Sequence, residues 1–293
     1  MTVGARESDL VRTLLERSNF PSPDSSANVD CAVSGGADSM ALLFLAVNAG
    51  LSVTAHHVDH GLRPDSAGEA DVVATLCDRL GARFIAHRVS VGDGPNLEAR
   101  ARAARRATLP PRVLTGHTAD DQAETVLLNL MRGAGIDGLA GMRRSHSKPL
   151  LAIRRSETRE LCRAANLLVV TDESNFDPRF RRNRVRNELL PLIDDIAQRD
   201  VAALIAREAN LIADDEEFLD ALALTVDVHD ALRLAATPLP LARRAVRRWL
   251  ADPYPPDSAT VDRVLEVARG IHPSCDVGRG RRVVRSRQRL ELR

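Results

Sequence analysis

The sequence predicts a doubly wound, mostly parallel α/β sheet, then a helical linker and a small C-terminal mixed, mainly helical domain. Three observations carry this. Over the first 150 residues short apolar runs alternate with helical patterns, the signature of βα units. A Gly-rich turn, SGGADS, stands directly between the first apolar run and an apolar helix. After Lys148 the texture changes to helical patterns split by a polar loop, and 293 residues suit two domains of roughly 100–200 residues each.

Taken in order, residues 29–33 (VDCAV) read as a buried strand and 39–49 as the helix after the turn. Strand 51–58 and helix 66–80 follow, the helix opened by Ser66 and Glu69 in capping-box spacing. Strand 83–89, a strongly basic helix 97–107, strand 112–115 and helix 119–131 complete the pattern. Four glycines between 133 and 141 mark a loop. Beyond it, 159–165 and 186–193 look helical, and a long helical pattern runs from about 195 to 223, carrying the acidic run Asp214, Asp215, Glu216 and Glu217. The boundary falls within 205–225, giving a first domain with its linker helix over 1–215 and a C-terminal domain over 216–293. An amphipathic helix over 7–17 is the one signal before the first strand.

Composition excludes several classes. Apolar residues make up 44%, enough for a core, and no uncharged apolar run reaches the length of a spanning helix. The start lacks a basic stretch followed by an apolar region, so a cytoplasmic protein with no membrane partner is expected. Cys31, Cys77, Cys162 and Cys275 lie far apart, with no CxxC pair. Lys148 is the sole lysine, which excludes a GxxxxGK[ST] phosphate loop and a KxDG ligase motif.

In SGGADS, Gly35 and Gly36 let backbone N–H groups turn around an anion, and the helix that follows adds its dipole. Ser34 and Ser39 offer hydroxyls to phosphate oxygens, with Ala37 between the pair and the helix. Asp38 would repel a phosphate unless a cation lay between them, which points to Mg²⁺ on a pyrophosphate. The plain alternative is an N-capped β–α turn, to which strand, spacing and helix together add too much. His56, His57, Asp59 and His60 alternate sides on a strand, so a polar strand end near a nucleotide is expected there rather than a zinc site. Asp120, Asp121 and Glu124 open a helix, where the dipole favours acids in any case, and their spacing lets them share a face.

SGGADS resembles the SGGxDS loop of the PP-loop ATP pyrophosphatases, doubly wound α/β enzymes that cleave Mg-ATP to AMP and pyrophosphate. HHVDHGLRPDSAGEA (56–70) and GHTADDQAETVLLNLMRGAGIDGLAGM (116–142) are similar to blocks of the tRNA(Ile)-lysidine synthetases within that superfamily. PLL (149–151), DESN (172–175) and RNRVRNELLP (182–191) follow in that family's order. The likeness is close over 29–193 and loose in the tail. Asp59 and Arg106 replace the family's usual Asn and Tyr.

The resemblance implies ATP and Mg²⁺ as cofactors, and free L-lysine and a CAU-anticodon isoleucine tRNA as partners. ATP adenylates the C2 oxygen of the wobble cytidine, then the lysine ε-amine attacks C2 and expels AMP. The tRNA then reads AUA instead of AUG. It implies ATP binding by residues 34–39 and His60, a catalytic set of Asp38, Arg102, Asp121 and Glu124, and lysine binding by Asp121, Glu124 and Asp137. Longer members carry a second C-terminal domain, which is not expected in a tail of this length. A homodimer stays open beside a monomer.

Three basic clusters stand out against a net charge of +1. Residues 143–163 carry seven positive and two negative charges, 179–186 carry five arginines, and 279–293 carry seven arginines against Glu291. Such segregation fits phosphate-backbone binding, and Arg182, Arg184, Arg186, Arg281, Arg282 and Arg285 are the expected tRNA contacts. With eight aromatics in the chain, a stacking platform is not expected. The competing readings are another PP-loop tRNA modifier such as a cytidine thiolase, disfavoured by the missing cysteine pair, and an inactive RNA-binding relative, disfavoured by the intact loop. Whether ATP cleavage to AMP depends on tRNA and lysine together discriminates them.

Overall fold

The computed structural model describes residues 3–23, 28–59, 66–89, 97–171 and 176–293. The chain divides into two compact units, Met1–Leu211 and Ile212–Arg293.

The first unit is built on a parallel sheet in the order β3-β2-β1-β4, from β1 (Val29–Ala32), β2 (Val53–Asp59), β3 (Arg83–Arg88) and β4 (Leu114–Thr115). Register aligns Ala32 with His56 on one side and Thr115 on the other, so the ends of β1 and β4 lie together. Around it run α1 (Val3–Arg17), α2 (Ala37–Asn48), α3 (Ser66–Leu80), α4 (Leu97–Thr108) and α5 (Ala119–Met131). Because successive strands are parallel, each crossover is a helix that must bury an apolar face on the sheet. Helix α2 shows this most fully, with Met40, Leu42, Leu43 and Leu45 wholly buried against Cys31, Val53 and Ala55.

The polar residues of β2 divide by face as its alternation requires. His56 lies between Asp30 (2.8 Å) and His87 (2.9 Å), while the His57 ring Nδ1 lies 2.9 Å from the Val33 carbonyl. Among the described residues no group of three His, Cys, Asp or Glu side chains could hold a metal ion.

After α5 the glycine-rich stretch contains one short helical turn, α6 (Ile136–Leu139). The buried Gln122 amide pins it, donating to the Ala140 and Met142 carbonyls and accepting from the Met142 N–H. Helix α7 (Arg155–Ala164) begins one turn before the pattern suggested, because the Glu157 carboxylate accepts the Arg154 N–H. Next come α8 (Arg181–Arg184), a π-helical turn over Val185–Leu189, and α9 (Leu190–Ala197). The expected continuous helix from 195 breaks here: Gln198 adopts a left-handed conformation (φ 51°) and Asp194 accepts the Val201 N–H, starting α10 (Val201–Leu224) afresh.

In the second unit α11 (Ala231–Ala236), α12 (Leu239–Trp249) and α13 (Ser258–Arg269) pack on an antiparallel sheet β5-β6-β7. These strands are Ser274–Gly278, Arg281–Ser286 and Arg289–Leu292. Leu234, Val246, Leu250, Val264, Val283 and Leu290 form its core. The acidic run of α10 is partly internal: Glu216 is buried on Arg244, which also donates to Asp220. No described helix is long and apolar enough to cross a membrane.

Candidate active site

The loop between β1 and α2 is closed by its own serines. The Ser34 N–H donates to Ser39 Oγ, whose hydroxyl donates to the Gly36 carbonyl at 2.8 Å. Gly35 holds φ at +89°, and a Cβ there would meet Val170 at 3.0 Å. Val170 in turn donates its N–H to the Gly35 carbonyl. At the end of β4, a Cβ on Gly116 would lie 2.7 Å from the Asp38 carbonyl oxygen, so only glycine lets that strand end approach the loop.

Asp38, in the first turn of α2, is held by residues far along the chain. Thr158 Oγ donates to Oδ1 at 2.5 Å, and Arg155 Nε donates to Oδ2 at 3.3 Å. Burial pushes the Asp38 carboxyl up, and the Thr158 and Arg155 contacts offset it only in part. Asp121 and Glu124 reach the same guanidinium from α5. Arg155 Nη2 donates to Asp121 Oδ1 and Nη1 to Glu124 Oε1, each at 2.9 Å. Three carboxylates from two elements thus share one planar cation.

Each acid has further partners. Asp121 accepts from the Thr118 N–H (2.9 Å) and hydroxyl (2.8 Å), which also opens α5. Burial would raise its carboxyl, but Arg155, Arg182 and Thr118 outweigh burial and hold it below the usual range. Glu124 is 0% exposed and meets Arg182 Nε and Arg186 Nε at 2.7 Å each. Arg182 and Arg186 are four residues apart on the run through the π turn, so both reach it. Beside this cluster Arg154 grips Asp120 with two parallel bonds (3.0 and 2.9 Å) and also pairs with Asp200. Asp120 is held low against the opposing effect of burial. Arg17 of α1 bonds Glu157 and the Ala152 carbonyl, tying down the start of α7.

The structure therefore brings together Asp38, Asp121 and Glu124 of the expected set. Asp137 stands on α6 with its side chain 77% exposed, and its ion-pair partner is Arg143 at 3.7 Å. His60, the Arg102 side chain and the DESN segment lie outside the described residues. Arg182 and Arg186, expected on tRNA phosphates, are turned onto Glu124 and Asp121. Arg184 is exposed and pairs with Glu188. In the second unit Arg282 is exposed, Arg281 pairs with Asp252, and Arg285 reaches the Val267 carbonyl and Gln288.

Sequence reasoning missed Asp120 as an ion-pair partner, and Arg154, Arg155 and Thr158 altogether. In the sequence these arginines read as part of a basic, RNA-facing segment. The available signal was their place at the start of an amphipathic helix, with Glu157 in capping position.

With that geometry in view, similarity to known proteins is decisive. The PP-loop domain family matches residues 9–193. The tRNA(Ile)-lysidine synthase of Nocardia farcinica is 45% identical over 78% of this chain and 77% of its own length. That of Gloeobacter violaceus is 40% identical over 75% of each, and that of Mycobacterium tuberculosis 39% identical over 74% and 73%. The chain belongs to the tRNA(Ile)-lysidine synthase family. Among solved structures, the U34-tRNA thiolase NcsA of Methanococcus maripaludis superposes with a TM-score of 0.54 at 17% identity, covering 72% of this chain and 80% of that one. This last likeness speaks for the fold alone.

Proposed function

We infer that this chain joins free L-lysine to C2 of the wobble cytidine in a CAU-anticodon isoleucine tRNA, with cleavage of ATP to AMP and pyrophosphate. The observation that carries the reading is the convergence of Asp38, from the loop before α2, with Asp121 and Glu124 of α5. A phosphate cradle thereby adjoins a pair of carboxylates suited to an amine, in a member of a family whose named relatives are lysidine synthases.

The loop amides and the start of α2 would hold the polyphosphate, leaving the α-phosphorus open to the C2 oxygen. Asp38 fits magnesium as a single carboxylate ligand, since that ion keeps waters and takes phosphate oxygens for its other positions. When bound, magnesium would neutralise charge on the departing pyrophosphate. Asp121 and Glu124 would grip the amino groups of lysine, with Asp137 a third candidate. The charge of these carboxylates is balanced by Arg155, Arg182 and Arg186; against burial, Arg155 and Arg182 hold the Asp121 carboxyl below the usual range. His60 and Arg102 are assigned to the nucleotide by motif resemblance. Arg184 and the exposed arginines of the C-terminal unit, Arg282, Arg287 and Arg289 among them, are assigned to tRNA phosphates.

A thiolase reading would need an accessible thiolate. Burial pushes the Cys31 and Cys162 thiols up to about 12 and Cys77 to about 11, so all three stay protonated.

The test is incorporation of labelled lysine into a CAU-anticodon isoleucine tRNA transcript with Mg-ATP, against the CAU methionine tRNA. Lysine retained on the isoleucine tRNA alone, with AMP formed in step, is the expected result. AMP without lysine transfer would reassign the nucleophile, and neither product despite tRNA binding would mark an inactive RNA-binding relative.

A further inference from the structure

We propose that Arg155 is a positioning residue that couples the two halves of this site, so that nucleotide binding raises the affinity for lysine; this rests on the reading given above. Each nitrogen of its guanidinium serves a different carboxylate. Nε takes Asp38 on the phosphate loop, Nη1 takes Glu124 and Nη2 takes Asp121 on α5. The Arg155 side chain is 12% exposed, so these pairs are poorly screened. A planar fork can span three acids in fixed directions, which an ammonium cannot.

The two α5 acids do not depend on Arg155 alone, and Asp38 has a second donor. Asp38 keeps Thr158, Asp121 keeps Thr118 and Arg182, and Glu124 keeps Arg182 and Arg186. Arg155 is thus the one described cation bonded to both walls, and it can leave the α5 wall while Arg182 and Arg186 still neutralise Asp121 and Glu124. A polyphosphate at the loop attracts it toward the Asp38 side. Asp121 and Glu124 then shed a competing cation, and the same two oxygens, Asp121 Oδ1 and Glu124 Oε1, gain potential for a substrate ammonium. By linkage, lysine strengthens nucleotide binding by the same factor.

The experiment is calorimetric titration of L-lysine into the full chain bound to a CAU-anticodon isoleucine tRNA transcript, with and without saturating magnesium α,β-methylene-ATP, which cannot be adenylated onto the tRNA. For the unaltered chain, the nucleotide is expected to tighten lysine binding about tenfold. Arg155→Met should reduce that factor to below about twofold, and Arg155→Lys should do the same while keeping the charge. Should Arg155→Met fail to fold by circular dichroism, Arg155→Lys carries the test. Arg17→Gln loosens the start of α7 without touching the three carboxylates, and should keep the full factor. An unchanged factor in both Arg155 variants, equal loss in Arg17→Gln, or a factor of one or less in the unaltered chain overturns the proposal. Complete absence of lysine binding, with nucleotide still bound, would instead remove the lysine-site reading and the coupling with it.

Discussion

Two arginine-rich regions of this molecule look alike in sequence and differ in structure. Between residues 154 and 186, Arg154, Arg155, Arg182 and Arg186 turn inward onto Asp120, Asp121, Glu124 and Asp38. Between 279 and 293, Arg282, Arg287 and Arg289 lie exposed on the strands and turns of a small sheet. Charge density therefore does not say what a basic segment does. What separates the two is the supply of carboxylates: the first region faces buried acids at the start of α5, while the strands of the second carry Asp276 and Glu291. An arginine beside a buried acid completes a site, and one on an exposed strand is available to a polyanion.

The comparison can be broken most severely at Asp38. Asp38→Ala should lower lysine-dependent AMP formation by about two to three orders of magnitude, as loss of a preorganised charge contact does, with an unchanged circular-dichroism spectrum. Full activity would remove Asp38 from the chemistry. Next in size, Glu124→Ala leaves three guanidinium groups facing a vacated buried position. It should cost about 3–5 kcal/mol in urea unfolding, the usual penalty for breaking a buried pair. A loss under about 1 kcal/mol would show that the inner arginines are solvated and comparable to the outer ones.

Acid should reveal the same inward pairing. Asp120 and Asp121 are held below their unfolded values, so they stabilise the fold above about pH 4, and that contribution disappears as pH falls through their folded values. Asp38 has the opposite sign: its raised carboxyl makes ionisation a cost at neutral pH that fades on acidification. Asp38→Asn should therefore melt no lower than the unaltered chain at pH 7 while losing activity, and a clearly lower melting temperature would contradict this sign. The smallest effect is expected for Thr158→Val, which removes one hydrogen bond from Asp38. About 1 kcal/mol of stability and a severalfold slower turnover should follow; an unaffected rate would make Thr158 a bystander.

Local patterns made much of the site legible. The strand, the glycine pair and the helix after it are contiguous, and 119–131 is helical from end to end, as its apolar spacing indicates. The meeting of Asp38 with Arg155 and Thr158 was not legible, because it spans 117 and 120 residues and depends on where α7 docks. The break at Gln198 was hidden for a related reason: a left-handed glutamine and an aspartate cap leave the apolar spacing intact on both sides. Likewise Glu216 sits in an acidic run that reads as a solvated face, yet Arg244 from α12 buries it.

The most direct test of the difference between the regions is the salt dependence of tRNA binding, measured by filter retention from low to moderate salt. Replacing Arg282, Arg287 and Arg289 with Gln should lower the slope of log K against log salt by roughly one for each phosphate that the variant no longer neutralises. Arg182→Gln and Arg186→Gln, which remove the same charge beside Glu124, should leave that slope unchanged while weakening lysine-dependent turnover. A slope that falls for the inner pair and not for the outer three would contradict the account.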